Sequence, residues 1–332
     1  MPTTLRLATF NVENLDDKPG QKPPLAERIA ILRPQFLRLR ADVLCLQEIH
    51  GQETPGQPRD LLALRQLVAG TRYENFHVAT TRTANRRDVF DVRNLVVLSR
   101  FPVLATAQIK HRHAPAPAYR RVTAKPADTG ARQVSWERPI LHVQLDLGGG
   151  RVLHVLNLHL KSKLPDAIPG QAPNRFQWNS AAGWAEGSFL ASMKRVGQAL
   201  EARLLVDEIF DADPQAHIAV CGDLNAESDA VPVMALRGRG EDTGNPALVG
   251  RVLVPCENTV PESSRYSLLH RGQGFMLDHL LVSRALLAGY RGVEIHNETL
   301  PDKSIAGAGG ALFPEPDHAA VVAEFEVQGG TA

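Results

Sequence analysis

The chain has 332 residues, of which 37 are Lys or Arg and 36 are Asp or Glu, so its formal net charge is +1. Hydrophobic residues make up 43% and charged residues 22%, ordinary globular values that exclude collagen-like, coiled-coil and wholly disordered chains. The balanced charge also excludes a uniformly basic coat for nucleic acid. With no internal repeat and no clear linker, we expect one domain over residues 1–332.

The first ten residues lack the basic and apolar regions of a secretory signal, and no run approaches the roughly 18 apolar residues that span a bilayer. The three cysteines are an odd number, and Cys45 and Cys221 lie inside apolar runs, which is typical of reduced core thiols. We therefore expect no transmembrane segment and favour a cytoplasmic protein, although truncation would hide a lost signal. The sequence identifies no partner protein.

Eight short apolar runs predict buried strands. In chain order they are residues 5–10, 43–47, 95–98, 140–145, 152–156, 218–221, 277–282 and 321–325. Helical periodicity predicts helices at 25–40, where Pro34 should break or kink the helix, at 59–68 and at 189–210. Strands that follow one another directly, together with these helices, predict two packed sheets covered by helices.

Two proline-containing stretches do not fit this rhythm, and we expect loop insertions at 106–138 and 164–187. Long structureless segments inside a compact domain are usually functional lids, but a mobile surface loop is an equally good interpretation.

Polar side chains stand at the ends of the apolar strands, as in sites built on a rigid scaffold. Asn11 follows the first strand and Glu48 ends the second. A carboxylate at the end of a buried strand needs a partner, so Glu48 either belongs to a site or forms a salt bridge with a nearby arginine.

Later strands continue the pattern. Asn157, His159 and Lys161 alternate with leucines, so they share one strand face that suits a phosphate-like anion, although a core histidine fits equally well. Asp223 and Asn225 follow a strand end, where they can orient water and contact a phosphoryl oxygen or merely form an Asx turn.

Two Asp–His pairs complete the pattern, Asp278 with His279 and Asp317 with His318. A carboxylate beside a histidine holds one tautomer and supports the imidazolium. One such pair is a weak signal, but six polar strand ends in this order are a much stronger one.

In order and spacing, seven segments resemble the endonuclease/exonuclease/phosphatase superfamily, also called the deoxyribonuclease-one-like fold. They are TFNVENL, LCLQEIHG, RNLVVLSRFP, NLHLKSK, GDLNAESD, MLDHLLVS and PDHAAV. The resemblance spans nearly the whole chain and implies an α/β (α+β) four-layer sandwich, two packed mixed β-sheets flanked by helices. It also implies a phosphoester hydrolase that uses Mg²⁺ or Mn²⁺, with Ca²⁺ as a further candidate, and oxygen ligands suit such hard cations.

Matched motif by motif, the resemblance implies a role for each polar strand end. The implied metal ligands are Glu48, Asn11 and Asp317. The implied catalytic residues are His159, Asp223, Asn225, Asp278 and His318, with Asp278 orienting His318. The implied phosphate contacts are Asn157, Asn94 and Arg93, although Asn94 is equally suited to stabilise a turn.

The sequence leaves three assignments open. His279 stands where many members carry Tyr, which leaves a metal or phosphate contact open for it. Asp88 and Asp91 are both candidates to orient His159. The roles of the two histidines exchange if the substrate binds in the opposite sense.

Charge distribution favours a nuclease acting on DNA or RNA. Residues 80–138 contain 12 Lys or Arg and 4 Asp or Glu, which leaves 25 and 32 in the rest of the chain. We expect this basic segment to bind a polyanion, with Arg120, Arg121 and Tyr119 pairing phosphates or stacking on a base, although a solvated insertion has the same composition.

Other members of the superfamily offer further substrates. Phe176, Trp178 and Trp184 entering a membrane interface would indicate a phospholipid or sphingomyelin phosphodiesterase. A small-molecule phosphatase is a third interpretation. A non-catalytic binding scaffold is the least favoured, because the implied site residues are all present.

Overall fold

The computed structural model describes residues 3–306 and 313–327. The expected domain over 1–332 also includes residues 1–2, 307–312 and 328–332, which lie outside the described part. The strands are β1 (Thr3–Leu15), β2 (Val43–Ile49), β3 (His77–Thr80), β4 (Asn94–Ser99), β5 (Val103–Ile109), β6 (Ala118–Tyr119), β7 (Arg132–Gln133), β8 (Ile140–Asp146), β9 (Val152–His159), β10 (His217–Asp223), β11 (Val254–Pro255), β12 (Leu268–His270), β13 (Gln273–Phe275), β14 (Asp278–Val282), β15 (Tyr290–Ile295) and β16 (Val321–Val327). The helices are α1 (Leu25–Leu39), α2 (Leu62–Val68), α3 (Ala181–Ala212), α4 (Val231–Arg237), α5 (Arg284–Leu287) and α6 (Lys303–Ala306).

Twelve of these strands form two six-stranded mixed sheets. The first sheet has the order β15-β16-β1-β2-β4-β3, and the second has the order β11-β14-β10-β9-β8-β5. Strands β1 and β2 are parallel, as are β9 and β10, while the other neighbours are antiparallel. The small ladders β6–β7 and β12–β13 lie outside the two sheets.

The side-chain alternation of the strands explains the layers. Leu5 and Leu7 of β1 pack with Val155 of β9 in a core between the sheets. Residues on the opposite face of the first sheet pack under α1 and α2, and those on the opposite face of the second pack under α3 and α4. The predicted four-layer α/β sandwich is therefore confirmed. Within the described residues, no helix is long and apolar enough to cross a membrane.

Pro34 does not break the helix, because α1 continues through this residue. A proline inside a helix removes one backbone hydrogen bond, at a cost of about 3 kcal/mol. Leu32 and Phe36, on either side of Pro34, are fully buried under the first sheet. Their burial offsets the lost bond.

Helix α3 begins well before the predicted residue 189, so residues 181–187 are not loop. The Ser180 hydroxyl accepts a hydrogen bond from the Gly183 amide at 3.0 Å and caps the helix. Gly187 conceals the helical pattern in the sequence. A Cβ at this position would lie 2.5 Å from the Asp166 carbonyl oxygen, so the glycine allows the preceding loop to pack on the helix.

The expected insertion at 106–138 also starts later than predicted, because residues 106–109 belong to β5. Strands β3, β5 and β15 were not predicted. Strands β3, β5 and β15 are the outermost strands of their sheets, and several of their side chains face solvent. Without a buried face, an edge strand carries little apolar periodicity.

Polar side chains tie the two sheets together near the ends of β2 and β9. The Gln47 amide donates to Asn157 Oδ1 at 2.7 Å, and the Asn157 amide donates to the carbonyls of Leu46 and Val96 at 3.1 and 3.0 Å. Asn157 is fully buried. All its polar atoms are therefore used in holding the second sheet against the first.

We expect Asn157→Ala to destabilise the protein by about 3 kcal/mol, because it removes three buried hydrogen bonds that each contribute about 1 kcal/mol. Urea unfolding measures this loss, and Asn174→Ala at an exposed position is the matched control. A loss under about 1 kcal/mol would show that these inter-sheet hydrogen bonds do not stabilise the sandwich.

Candidate functional site

One edge of the sandwich gathers the predicted site residues. The parallel strands β1 and β2, and likewise β9 and β10, end at this edge with Asn11, Glu48, His159 and Asp223 at or near their carboxyl ends. Strand β14 is antiparallel to β10 and pairs Asp278 with Asp223, so it begins there. Topology therefore brings together residues that are more than 200 positions apart.

The Asp223 carboxylate is the centre of the cluster. Its Oδ2 accepts hydrogen bonds from the amides of Asn11 and Asn225 at 3.0 and 3.1 Å. His159 Nε2 lies 3.4 Å from the same oxygen, and His318 Nε2 lies 3.9 Å from it. Burial raises the pKa of Asp223 to about 7, reinforced by Asp278 and opposed by His318. A carboxyl group with such a pKa can exchange protons at neutral pH.

His318 is held by Asp278, as the sequence predicts. The distance between His318 Nδ1 and Asp278 Oδ2 is 2.6 Å. Burial by itself would lower the pKa of His318, but the charges of Asp278 and Asp223 outweigh it and raise that pKa well above its ordinary value. The site therefore favours the charged form of His318, and its Nε2 faces the Asp223 carboxylate at 3.9 Å.

His159 lies on the other side of Asp223 and has the opposite shift. Burial, followed by the charges of Arg138 and Arg93, lowers the pKa of His159 well below its ordinary value. Its Nδ1 has no hydrogen-bond partner among residues 3–306 and 313–327. Asp88 is engaged by the Arg59 backbone amide and by Asn85, so it does not orient His159.

Asp91 does not orient His159 either. Its side chain is exposed on the loop before β4 and lines a cavity beside the site, and it makes no hydrogen bond to His159 in the described part of the chain. Both predicted orienting partners of His159 are therefore wrong.

Glu48 has an unusual backbone conformation, with φ of 62° at the end of β2. Left-handed backbone is uncommon for a residue with a side chain and costs about 1–3 kcal/mol, so it is found mainly at functional sites. Glu48 Oε2 accepts a hydrogen bond from the backbone amide of Asn14 at 3.0 Å. Oε1 lies 3.7 Å from both His159 Nε2 and Arg93 Nε, so it is aimed into the cluster without a close donor.

This free oxygen fits a hard divalent cation, which prefers carboxylate and amide oxygens. Asn11 is less available as a metal ligand than predicted. Its Oδ1 accepts a hydrogen bond from the Glu13 backbone amide, and its side-chain amide donates to Asp223. The Asp317 carboxylate is partly exposed beside His318. Glu48 is therefore the best placed of the three predicted ligands.

A second group of possible ligands is Asp223, Asp278 and His318, whose donor atoms lie within 4.8 Å of one another. An imidazolium cannot bind a metal through a protonated nitrogen, and Asp278 favours that charged form of His318. The oxygen donors around Glu48 therefore suit a hard cation better than this group does.

Glu13 is a site residue that the sequence interpretation missed. Its carboxylate accepts a hydrogen bond from the Asp317 amide at 3.2 Å and forms an ion pair with Lys303. Burial and the neighbouring Asp317 raise the pKa of Glu13. Glu13 and Asn14 have left-handed backbone and interrupt the regular alternation of β1, so the strand pattern does not mark Glu13 as a site residue.

Arg138 is a second site residue that the sequence interpretation did not single out, because it counted only as part of the basic segment 80–138. Its guanidinium is only 8% exposed and donates to the carbonyls of His159 and Leu160 at 2.9 and 3.0 Å. It lies two residues before β8, which runs antiparallel to β9. Its position before that strand places it at the same edge as His159.

Three residues assigned or left open as phosphate contacts do not face the cluster. Asn157 is used between the sheets, as described above. Asn94 is fully buried and exchanges hydrogen bonds with the backbone of Phe90 and the carbonyl of Ile49, so it stabilises a turn. His279 is buried, with its two ring nitrogens on Glu257 and the Ala226 carbonyl. The structure therefore contradicts the expectation that any of these three residues contacts the phosphate.

Lys161 also leaves the face that it was predicted to share with His159. Its ammonium group lies against the Leu164 carbonyl and the Asp166 carboxylate. The strand has ended by this point, so the alternation no longer applies.

Comparison with known proteins agrees with this architecture. Residues 8–300 match the model of the Endonuclease/Exonuclease/phosphatase family. The chain belongs to this family. Its members hydrolyse phosphoester bonds with a divalent metal. No curated protein sequence matches the chain.

Solved structures show the same fold at low sequence identity. TDP2 from Caenorhabditis elegans is 16% identical with a TM-score of 0.55, covering 98% of this chain and 75% of that one. A family protein from Bacteroides thetaiotaomicron is 14% identical with a TM-score of 0.58, covering 99% and 96%. A 3′ phosphatase from Neisseria bound to a product DNA hairpin is 17% identical with a TM-score of 0.51, covering 97% and 99%.

The shift at His318 predicts how hydrolysis depends on pH. If the reaction needs the proton of His318, activity falls as the pH rises through its pKa. Asp278 raises that pKa, so Asp278→Asn should move this falling limb to lower pH. The measurement is the pH–rate profile for bis-p-nitrophenyl phosphate with saturating Mn²⁺.

Asp242→Asn, at a side chain 61% exposed, is the matched control and should leave the profile unchanged. A falling limb at the same pH in Asp278→Asn and wild type would contradict the assignment of His318.

Proposed function

We propose that the protein is a divalent-metal-dependent phosphodiesterase that cleaves DNA or RNA. The observation that carries this proposal is the buried Asp223 carboxylate between two histidines whose pKa values are shifted in opposite directions. Asp223, with its raised pKa, can take a proton near neutral pH, and the charged form of His318 can give one.

In the proposed reaction, Asp223 orients the attacking water and takes its proton as the new oxygen–phosphorus bond forms. The bond from phosphorus to the leaving oxygen breaks, and His318 gives its Nε2 proton to that oxygen. Asp278 holds His318 in this orientation through Nδ1. The Asn225 side-chain amide donates to Asp223 Oδ2 and to the Leu160 carbonyl, so Asn225 positions Asp223. Neutral His159 donates a hydrogen bond to a phosphoryl oxygen.

We propose that positively charged groups near Glu48 balance the negative charge of the phosphate. Arg93 lies 3.7 Å from the Glu48 carboxylate, and Arg138 lies behind His159. We propose Glu48 as the main metal ligand, with Asn11 and Asp317 assisting. A bound Mg²⁺ or Mn²⁺ would polarise the phosphate and stabilise the charge of the leaving oxygen.

Two observations support a nucleic acid substrate. The Neisseria phosphatase shares this fold and is bound to DNA. In the basic segment 80–138, Arg86, Arg87 and Arg120 are exposed and form no ion pair among the described residues. Fewer positive charges of this segment are free to bind a polyanion than its composition suggests. Arg121 pairs with Asp128, and two other arginines of the segment also form ion pairs.

A phospholipid phosphodiesterase is the second candidate, and one observation favours it. Phe176 is 79% exposed and Trp184 is 51% exposed on the insertion before and within α3, where an aromatic side chain could enter a membrane interface. Trp178 instead packs on a small core of Ala124, Ile168 and Leu190. The nuclease is preferred because the exposed arginines fit a polyanion without any membrane contact.

Glu48→Gln, Asp223→Asn and His318→Ala should each lower turnover of bis-p-nitrophenyl phosphate by about 10²–10³, because each removes a group that acts on the transition state. Thermal melting should show that the three variants fold. Glu241→Gln, at a side chain 60% exposed, is the control and should keep wild-type turnover. Near-wild-type turnover in any two of the three site variants would contradict the proposed roles.

The substrate is tested with plasmid DNA, single-stranded RNA, bis-p-nitrophenyl phosphate and sphingomyelin, each with Mg²⁺, Mn²⁺, Ca²⁺ or EDTA. We expect EDTA to abolish cleavage and DNA or RNA to be cleaved with a rate that falls steeply with salt. The double variant Arg86→Gln, Arg87→Gln should flatten the salt dependence on nucleic acid and leave bis-p-nitrophenyl phosphate unaffected. Cleavage of sphingomyelin alone would reverse the ranking of the two candidates.

A further inference from the structure

A cavity of about 510 Å³ opens beside the candidate site, between the loop that precedes β4 and the start of β8. Its walls include Arg93, Arg138 and Asn14. Arg93 and the Asn14 amide contact Glu48, and Arg138 holds the carbonyl of His159. A phosphate bound at the candidate site would therefore place the group esterified to it at the mouth of this cavity.

The size and chemistry of the cavity suit a flat, partly polar group. Ligand pockets typically measure about 300–1,000 Å³ and are mainly apolar with a few polar groups. Phe90, Val92 and Pro139 supply apolar surface, and Asp91 and Glu137 supply carboxylates. Aromatic and apolar side chains stack on bases, and carboxylates accept from their amino groups.

A fatty acyl chain fits this lining less well. It would cover the charged groups of Arg93, Arg138 and Glu137 without offering them hydrogen bonds, and burying unpaired polar groups is costly. A base can bond to such groups with its own polar edge.

The cavity wall is held in place by interactions already formed. Asn94 holds both the amide and the carbonyl of Phe90, at 2.8 and 2.7 Å. The Gly51 amide donates to the Asp91 carbonyl at 3.0 Å, and a Cβ on Gly51 would lie 2.6 Å from the Phe90 oxygen. This close packing fixes the loop before any substrate binds, so little ordering is needed on binding.

We propose that this cavity binds the base of the nucleotide whose phosphate is cleaved, and that the protein prefers nucleic acid in which this base is unpaired. A paired base lies inside the stack and must be extruded at a cost of a few kcal/mol before it can enter a pocket. This inference rests on the proposed phosphodiesterase function and adds a substrate preference to it.

The test compares two esters with the same leaving group, thymidine 5′-(p-nitrophenyl phosphate) and ethyl p-nitrophenyl phosphate. For the wild type we expect kcat/KM to be at least about fivefold higher for the thymidine ester, because the base stacks on the cavity wall. Val92 lines the cavity, is 47% exposed and is not one of the proposed catalytic groups, so Val92→Trp is chosen to occupy the cavity. It should remove this preference and leave the ethyl ester rate unchanged.

Val78→Trp, at a valine 56% exposed on β3, is the matched control and should keep the preference. Equal rates for the two esters in the wild type, or a preference that survives Val92→Trp, would overturn the base pocket while leaving the phosphodiesterase intact. Faster hydrolysis of dihexanoyl phosphatidylcholine that Val92→Trp abolishes would overturn it in favour of a lipid pocket.

If the wild type hydrolyses none of the esters, the proposed function fails and the cavity is judged by binding alone. Calorimetric titration with thymidine 5′-phosphate should then show weaker binding to Val92→Trp than to wild type and Val78→Trp. Equal affinity for the three proteins would overturn the proposal.

Discussion

The buried carboxylate of Asp223 is the constraint on which the site depends. A carboxylate removed from water must receive hydrogen bonds or compensating charge. Asn225 and His159 approach it from the second sheet, and Asn11 and His318 approach it from the first. The sheets must therefore pack in one relative position for this group to be stabilised, and that position is also the one that completes the site.

The polar contacts between Gln47 and Asn157 explain how this position is maintained. They lie close to Glu48 and His159 in sequence, beside the apolar core between the sheets. Apolar packing is tolerant of small shifts, but buried hydrogen bonds are directional and fix the register of the two sheets. The left-handed conformation of Glu48 then turns its carboxylate from the strand into the cluster.

The sequence predicts the parts of this arrangement that depend on short motifs. Asp223, Asp278, His318 and Glu48 were all recognisable as polar ends of apolar strands, and topology brings strand ends together. Asn157 was misassigned because alternation tells which residues share a face but not whether that face looks toward solvent or toward a second sheet. Glu13 and Arg138 were missed because their partners, Asp317 and the His159 carbonyl, are distant in sequence. Such pairings become visible only in three dimensions.

The proposed chemistry requires one charged and one neutral histidine around Asp223. Histidine titration by two-dimensional NMR tests it directly, with the signals of His159 and His318 assigned from single substitutions. We predict that His318 remains charged well above the ordinary histidine pKa and that His159 remains neutral well below it. Titration of both residues near the ordinary value of about 6.5 would contradict the account.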